Sequence, residues 1–384
     1  MKKLSVLLVA ALIVATTWWW WAQPQGTGTP PRSFLGLLSD EDQTGYATAT
    51  QPGAISFPRD LGAHEEYQHE WWYYTANLST ADGRRFGVEL TFFRRALTPP
   101  LKTATAAGTS LWRADSVYSA HFAVSDISGG KFHPFEKFSR GAAGLAGARA
   151  QPYAVWLEDW YVHESENNSL EIHAKADNIA VDLTLQQTLP PIKQGIDGLS
   201  LKGDQAGNAT YYYSMVRQQT QGKLTIGDDK YAVNGLSWHD HEYGTSALDP
   251  DDIGWDWFSL QFDDGTALML FQILKTDGRV KPTSSGSFIS RDGTITRLKI
   301  ADWRLTTKDR WTSPRSGKTY PIAWELEIDQ LGLKMSGSAL MPDQELPLST
   351  TYWEGAVAFG GRRGDQSVEG RGYVEMTGAA GSRR

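Results

Sequence analysis

The stretch GLSWHDHEYG (residues 235–244) sets His239, Asp240, His241 and Glu242 side by side. Three other stretches mix carboxylates with rings. HEWWYYTANL (residues 69–78) places His69 and Glu70 directly before Trp71, Trp72, Tyr73 and Tyr74. GWDWFSLQFDDG (residues 254–265) holds Asp256 between Trp255 and Trp257, and YWEGAV (residues 352–357) holds Glu354. A carboxyl group in an apolar aromatic cavity keeps its proton near neutral pH, because desolvation disfavours the anion. Indole and phenol faces attract a cation by roughly 0.5–2 kcal/mol each. Together these features suit a buried general acid beside rings that tolerate a positive charge. Asp256 and Asp240 are the first candidates for the acid, with His239, His241, Glu242, Glu70 and His69 as further catalytic candidates. Trp71, Tyr73, Trp238, Trp255, Trp257 and Glu354 are the candidate ligand-binding residues. This chemistry calls for no cofactor.

Other readings compete with this one. Any single acid can instead hold the fold by pairing with Arg94, Arg95 or Arg217. His239 and His241 share a strand face and have metal-ligand chemistry, with His69 as a conceivable third ligand, but the spacing matches no zinc motif. A hydrolase would need a nucleophile elbow of the G-x-S-x-G kind, and Ser237 beside Trp238 and His239 does not supply one. Asp249, Asp251 and Asp252 lack the spacing of a calcium loop and read as an acidic connection.

The elements that position these residues are strands. Short alternating runs such as RRFGVELTFFRR, YSAHFAVSDISGG and ALMLFQILKTDG are separated by Gly, Asp and Asn, the pattern of an antiparallel sandwich or barrel. Successive side chains on a strand point to opposite faces. His69, Trp71, Tyr73 and Thr75 then share one face, and Glu70, Trp72, Tyr74 and Ala76 the other. Both faces are aromatic, so the strand is expected to be covered on both sides, as a barrel wall against a second domain would be. The chain also repeats itself in order: EWWYYTANLSTADGRRFGVELTFFR parallels DWFSLQFDDGTALMLFQILK, LEIHAKADNIAVDLTLQQTLP parallels WELEIDQLGLKMSGSALMPD, and YYYSMV…GLSW parallels YWEGAV…GYVEMTG. A duplicated β-domain follows, with segments at 55–248 and 249–378.

Lys2 and Lys3 precede an apolar run over residues 4–21 that ends in four tryptophans. This reads as a signal peptide or N-terminal membrane anchor over 1–22, followed by a Gly/Pro/Thr-rich tether over 23–54. Residues 379–384 read as a disordered tail. The folded part is accordingly expected outside the cytoplasm, in a periplasmic or other extracytoplasmic setting, with membrane association through the N-terminus. The net charge of −7, without a basic stripe, excludes nucleic acid as partner. Zero cysteines exclude disulfides and thiolate chemistry.

The motifs FPRDLGAHEEYQHEWWYYTANL, YYYSMV, GLSWHDHEYG, GWDWFSLQFDDG and YWEGAV…GYVEMTG, in that order, resemble the AttH/CrtC-like family. The family includes carotenoid 1,2-hydratases and lipocalin-like proteins labelled as secreted hydrolases. The resemblance covers about residues 55–378 and is nearer the exported branch than the carotenoid hydratases. It implies an all-β fold of two tandem calycin (lipocalin-like) antiparallel β-barrels packed together, and a lipid or isoprenoid ligand. For activity it implies a hydratase-like lyase using an aspartate with nearby His and Trp. Two further expectations stand beside it. One is a non-catalytic lipid carrier or chaperone of the cell envelope working with an ABC-type transporter permease, and the other is a secreted hydrolase.

Overall fold

The computed structural model describes residues 43–100, 110, 113–245, 248–249 and 251–378. The leader, most of the tether and the tail expected from the sequence lie outside the described residues. Among the described residues, no helix is long and apolar enough to cross a membrane.

The first sheet has thirteen strands. They are β1 (His69–Ser79), β2 (Arg85–Ala96), β3 (Ser116–Asp126), β4 (Lys131–Arg140), β5 (Ala146–Ala150), β6 (Tyr153–Leu157), β7 (Trp160–Glu164), β8 (Leu170–Ala176), β9 (Ile179–Gln187), β10 (Ile192–Lys193), β11 (Leu199–Leu201), β12 (Ala209–Ile226) and β13 (Asp229–Gly244). The second has ten: β14 (Asp252–Phe262), β15 (Ala267–Lys275), β16 (Ser285–Ile289), β17 (Ile295–Lys299), β18 (Arg304–Thr312), β19 (Thr319–Ile328), β20 (Leu333–Ala339), β21 (Glu345–Pro347), β22 (Thr351–Arg363) and β23 (Gln366–Met376).

The two sheets have the same plan. The first runs β4-β3-β2-β1-β13-β12-β9-β8-β7-β6-β5 and the second β17-β16-β15-β14-β23-β22-β20-β19-β18. In each, an opening meander pairs its first strand with the last strand of the unit, so the sheet curls into a nearly closed antiparallel barrel of calycin type. The Asp-Gly turns that open both meanders use Gly83 (φ 89°) and Gly265 (φ 87°), a left-handed conformation that a Cβ disfavours.

Strand alternation gathers the buried side chains into clusters, three of them large. Trp72, Tyr74, Phe86, Leu90 and Phe92 fill the interior of the first barrel. Phe258, Leu260, Trp324, Trp353 and Val357 fill the second. Tyr73, Tyr212, Trp238, Trp255, Trp257 and Phe271 form a third cluster where the outer faces of the two barrels meet. The wall formed by β1 is therefore covered on both faces, as its sequence requires. Each buried ring is a large term: truncating a fully buried aromatic costs about 3–5 kcal/mol.

Candidate active site

The register of β1, β12 and β13 assembles the site. Tyr73 pairs with Asp240 and Trp71 with Glu242 across β1 and β13, while Ser214 and Tyr212 face the same two acids from β12. Directly paired residues present their side chains on one face. Trp71, Tyr73, Tyr212, Trp238, Asp240 and Glu242 consequently all look out of the first barrel toward the second. From the second barrel, β14 supplies Trp255 and Trp257, β22 supplies Tyr352 and Glu354, and β23 supplies Glu375. Between them lies a small cavity of about 50 Å³, completed by Thr91, Phe93, Lys202, Leu248 and Phe271.

Asp240 is buried and accepts three hydrogen bonds. Ser214 Oγ donates to Oδ1 at 2.5 Å, Trp238 Nε1 to Oδ1 at 2.7 Å, and the Tyr212 hydroxyl to Oδ2 at 2.7 Å. Burial pushes its pKa up to about 7 against the opposing pull of these donors. Desolvation thus keeps the proton on, while the donors stabilise the carboxylate left when the proton departs.

Glu375 lies directly across the ladder from Glu354, a like-charged pair that cannot comfortably ionise together. Burial raises Glu375 to about 7, opposed by Trp255 Nε1, which donates to Oε2 at 2.9 Å. Burial, reinforced by Glu89 and Glu375, holds the Glu354 carboxyl well above the usual range. Glu89 on β2 is raised in the same way, against the hydrogen bond it accepts from Thr91. Glu242 belongs to a different kind of site. Lys202 Nζ pairs with it at 2.6 Å, and the same ammonium lies 4.1 Å from the centre of the Phe271 ring.

The opposite face of β1 and β13 carries a second polar cluster inside the first barrel. Glu70 Oε1 contacts His64 Nδ1 at 2.7 Å and His241 Nε2 at 2.8 Å, and Arg94 Nε donates to Oε2 at 2.8 Å. His64 Nε2 lies 3.1 Å from Asp60 Oδ1. Burial disfavours the His64 cation, but Asp60 and Glu70 outweigh it and raise the imidazole to about 9. Burial also works against the Glu70 carboxylate, and Arg94 with the two histidines overcomes it, holding the group well below its usual range.

The sequence candidates divide accordingly. Asp240, Glu242, Glu354, Trp71, Tyr73, Trp255 and Trp257 line the cavity, and Trp238 backs it by bonding Asp240. Asp256 does not reach the cavity: it lies on the inner face of β14 and accepts a bond from Gln272 Nε2 at 3.0 Å. Glu70 and His241 also face the barrel interior, where Arg94 takes the pairing role open to it from the sequence. His239 stacks on Tyr74 with centroids 4.1 Å apart and donates Nδ1–H to the Tyr73 carbonyl at 3.0 Å. Burial lowers it to about 3, so it is neutral. His69, buried at the start of β1, is likewise lowered to about 3, with Arg95 and Arg94 adding to the effect of burial. The Ser237 hydroxyl bonds Thr220 at 2.5 Å rather than a histidine. Arg217 donates to the Phe262 carbonyl at 3.2 Å.

Glu89, Glu375, Lys202, Tyr212, Asp60 and His64 were not among the sequence candidates. For Glu89 and Glu375 the signal was a single acid inside an apolar strand, in GVELTFF and GYVEM. His64 and Asp60 sit in the irregular segment before β1, where no periodicity marks them.

No curated protein sequence matches the chain. Among solved structures, a protein assigned as AttH from Nitrosomonas europaea is 33% identical, with a TM-score of 0.76, over 87% of this chain and 99% of that one. Kievitone hydratase from Nectria haematococca shares the fold at 18% identity and a TM-score of 0.64, over 87% of this chain and 96% of its own. The AttH-like family profile matches residues 48–379, and the chain belongs to the AttH-like family.

Proposed function

We propose that the cavity between the barrels binds the unsaturated part of a lipid or isoprenoid and hydrates it by acid catalysis. Asp240 is the proton donor in this reading. Its carboxylic acid protonates one alkene carbon, and the carbocation forms against Trp71, Trp255 and Trp257. Water then adds to the cation and yields its proton to a carboxylate, so the sum is alkene plus water giving alcohol. No electrons are transferred and no cofactor is consumed.

One observation carries the reading: acids held protonated near neutral pH line an aromatic cavity. The fold it shares with kievitone hydratase, a protein named for hydration, is consistent with it. A cavity of about 50 Å³ has room for a reacting group and a water, so the rest of a long ligand must lie outside it. Export belongs to the same proposal and is supported by the basic and apolar leader in the sequence.

The test is incubation of the purified protein with unsaturated isoprenoid lipids in isotopically heavy water, followed by mass spectrometry. The expected product carries one added water with labelled oxygen, and Asp240→Asn abolishes it. Lipid recovered bound but unchanged from both proteins would overturn hydration. That outcome would favour an envelope carrier acting with an ABC-type permease.

A further inference from the structure

The His64, Glu70 and His241 cluster lies on the other face of β1 and β13 from the proposed hydration site and is independent of it. Its donor atoms, two imidazole nitrogens and a carboxylate oxygen, lie within 4.8 Å of one another, and all three residues are buried. We propose that these three residues form a binding site for a divalent cation of the zinc class.

The residue types and their orientation both support this. Two imidazoles and one carboxylate are a known three-protein-ligand set for zinc, with a fourth position left for water. Each histidine is already oriented through its other nitrogen. His64 Nε2–H points at Asp60 Oδ1, and His241 Nδ1 at the Tyr213 hydroxyl 2.9 Å away. A carboxylate or hydroxyl behind the ligating imidazole is the usual outer-shell arrangement, fixing both tautomer and ring direction. Glu70 is prepared in the same sense. Arg94 and the His64 backbone N–H, at 2.8 and 2.9 Å, hold Oε2, leaving Oε1 as the atom that both histidines face.

The imidazoles are also fixed by stacking. His64 lies on Tyr243 with centroids 3.5 Å apart, and His241 lies on Trp72 at 4.7 Å. A groove bordered by His64, Asp60, Tyr67, Tyr211 and Tyr243 brings the His64 side of the cluster to the surface; Glu70 and His241 lie behind it, so an ion would enter past His64. The ion takes the position between the three donor atoms as the contacts of 2.7 and 2.8 Å open, and it displaces the protons that now bridge them. Arg94 remains on Glu70 Oε2, and Arg59, which donates to both oxygens of Asp60 at 2.5 and 2.7 Å, holds the carboxylate behind His64. Binding would join the segment before β1 to the β1–β13 ladder.

The experiment uses the full chain, stripped with a chelator and titrated with zinc chloride against a chromophoric competitor, and separately loaded with cobalt(II). One tight equivalent of zinc is expected, together with the intense visible bands of tetrahedral cobalt. Asp60→Asn should weaken zinc affinity by about 10–100-fold, and His64→Gln should remove the tight site. His173→Gln, which alters an imidazole paired with Asp182 on another part of the barrel, should leave the stoichiometry at one. If His64→Gln does not fold, Asp60→Asn and the wild-type cobalt spectrum decide the matter. Absence of a tight equivalent, octahedral cobalt bands, or an affinity unmoved by Asp60→Asn overturns the proposal.

Discussion

Trp257 Nε1 donates to the Tyr212 hydroxyl oxygen at 3.1 Å, and Tyr212 passes its own proton toward Asp240 Oδ2 at 2.7 Å. The indole belongs to the second barrel, and the phenol and the acid to the first. The donor behind the acid is therefore polarised by the partner barrel, and neither barrel alone contains the complete arrangement. A hydroxyl that itself accepts a bond is a better donor, so Trp257 strengthens the hydrogen bond that Tyr212 gives to the Asp240 carboxyl.

Tyr212→Phe removes one of the three donors to Asp240, so the acid's pKa should rise further above about 7 and the acid should become weaker. Hydration should fall by on the order of tenfold, about 1.4 kcal/mol of transition-state stabilisation. The descending limb of the pH–rate profile should move to higher pH. A profile that falls in height without moving would remove Tyr212 from control of the acid.

Wild-type turnover should decline as pH rises through about 7, where Asp240 loses its proton. Asp240→Asn should lower the rate by about 10²–10⁴-fold, the usual contribution of a positioned acid. Asp256→Asn should change it by less than about threefold, because its side chain points away from the cavity and its effect is limited to stability. Steady-state rates across pH for the three proteins check both statements. A loss at Asp256 equal to that at Asp240 would contradict the assignment of faces.

Glu375 links pH to folding. Its pKa is about 7 in the native protein against 4.5 for the ordinary group. Between those values the native state keeps a proton that the unfolded chain releases, so stability contributed at low pH is lost as pH rises. Glu375→Gln removes that dependence. Chemical denaturation of both proteins should show the variant gaining on wild type by up to a few kcal/mol as pH rises from about 5 to about 8. A constant difference across that window would show that Glu375 is already ionised at the acid end.

Glu70 should be a stability residue of the first rank. Glu70→Gln leaves Arg94 buried without its carboxylate, and breaking a buried pair on one side costs about 3–5 kcal/mol. Arg94 would keep the His64 and Tyr67 carbonyls, to which Nη2 donates at 2.6 and 2.8 Å, so its position should persist while its charge is uncompensated. The measurement is the urea midpoint at neutral pH. A shift equivalent to less than about 1 kcal/mol would show that water or a neighbour compensates the charge.

A ligand that mimics the carbocation should bind the cavity. Alkyl trimethylammonium salts present a fixed positive charge to the Trp71, Trp255 and Trp257 rings and to nearby carboxylates. Trp255→Leu should reduce their affinity by about 0.5–2 kcal/mol, the range for a cation over an indole face. Calorimetric titration with a neutral alkyl ether of equal length is the control. Equal binding of ether and ammonium would show that the cavity selects apolar volume alone.

Much of this architecture is determined by the sequence itself. The period-two pattern of HEWWYYTANL requires two apolar faces, and the ordered repetition of its motifs requires a second copy of the unit, because a strand's alternation is a local property of the chain. The same pattern separates Trp71 and Tyr73 from Glu70 and Trp72 without reference to the rest of the molecule. What alternation cannot specify is the environment of each face. The register between β1 and β13 places Asp240 toward the second barrel and His241 into the first, and the corresponding register in the second barrel turns Asp256 inward. The meeting of Asp240 and Glu242 with Glu354 and Glu375 depends on two barrels packing face to face, which joins residues more than a hundred positions apart. Only that packing excludes water from Asp240, Glu354 and Glu375 and raises their pKa values. Asp240 and Glu354 are therefore legible as residues and Glu375 is not, while the acidity of all three at neutral pH is a property of the tertiary structure.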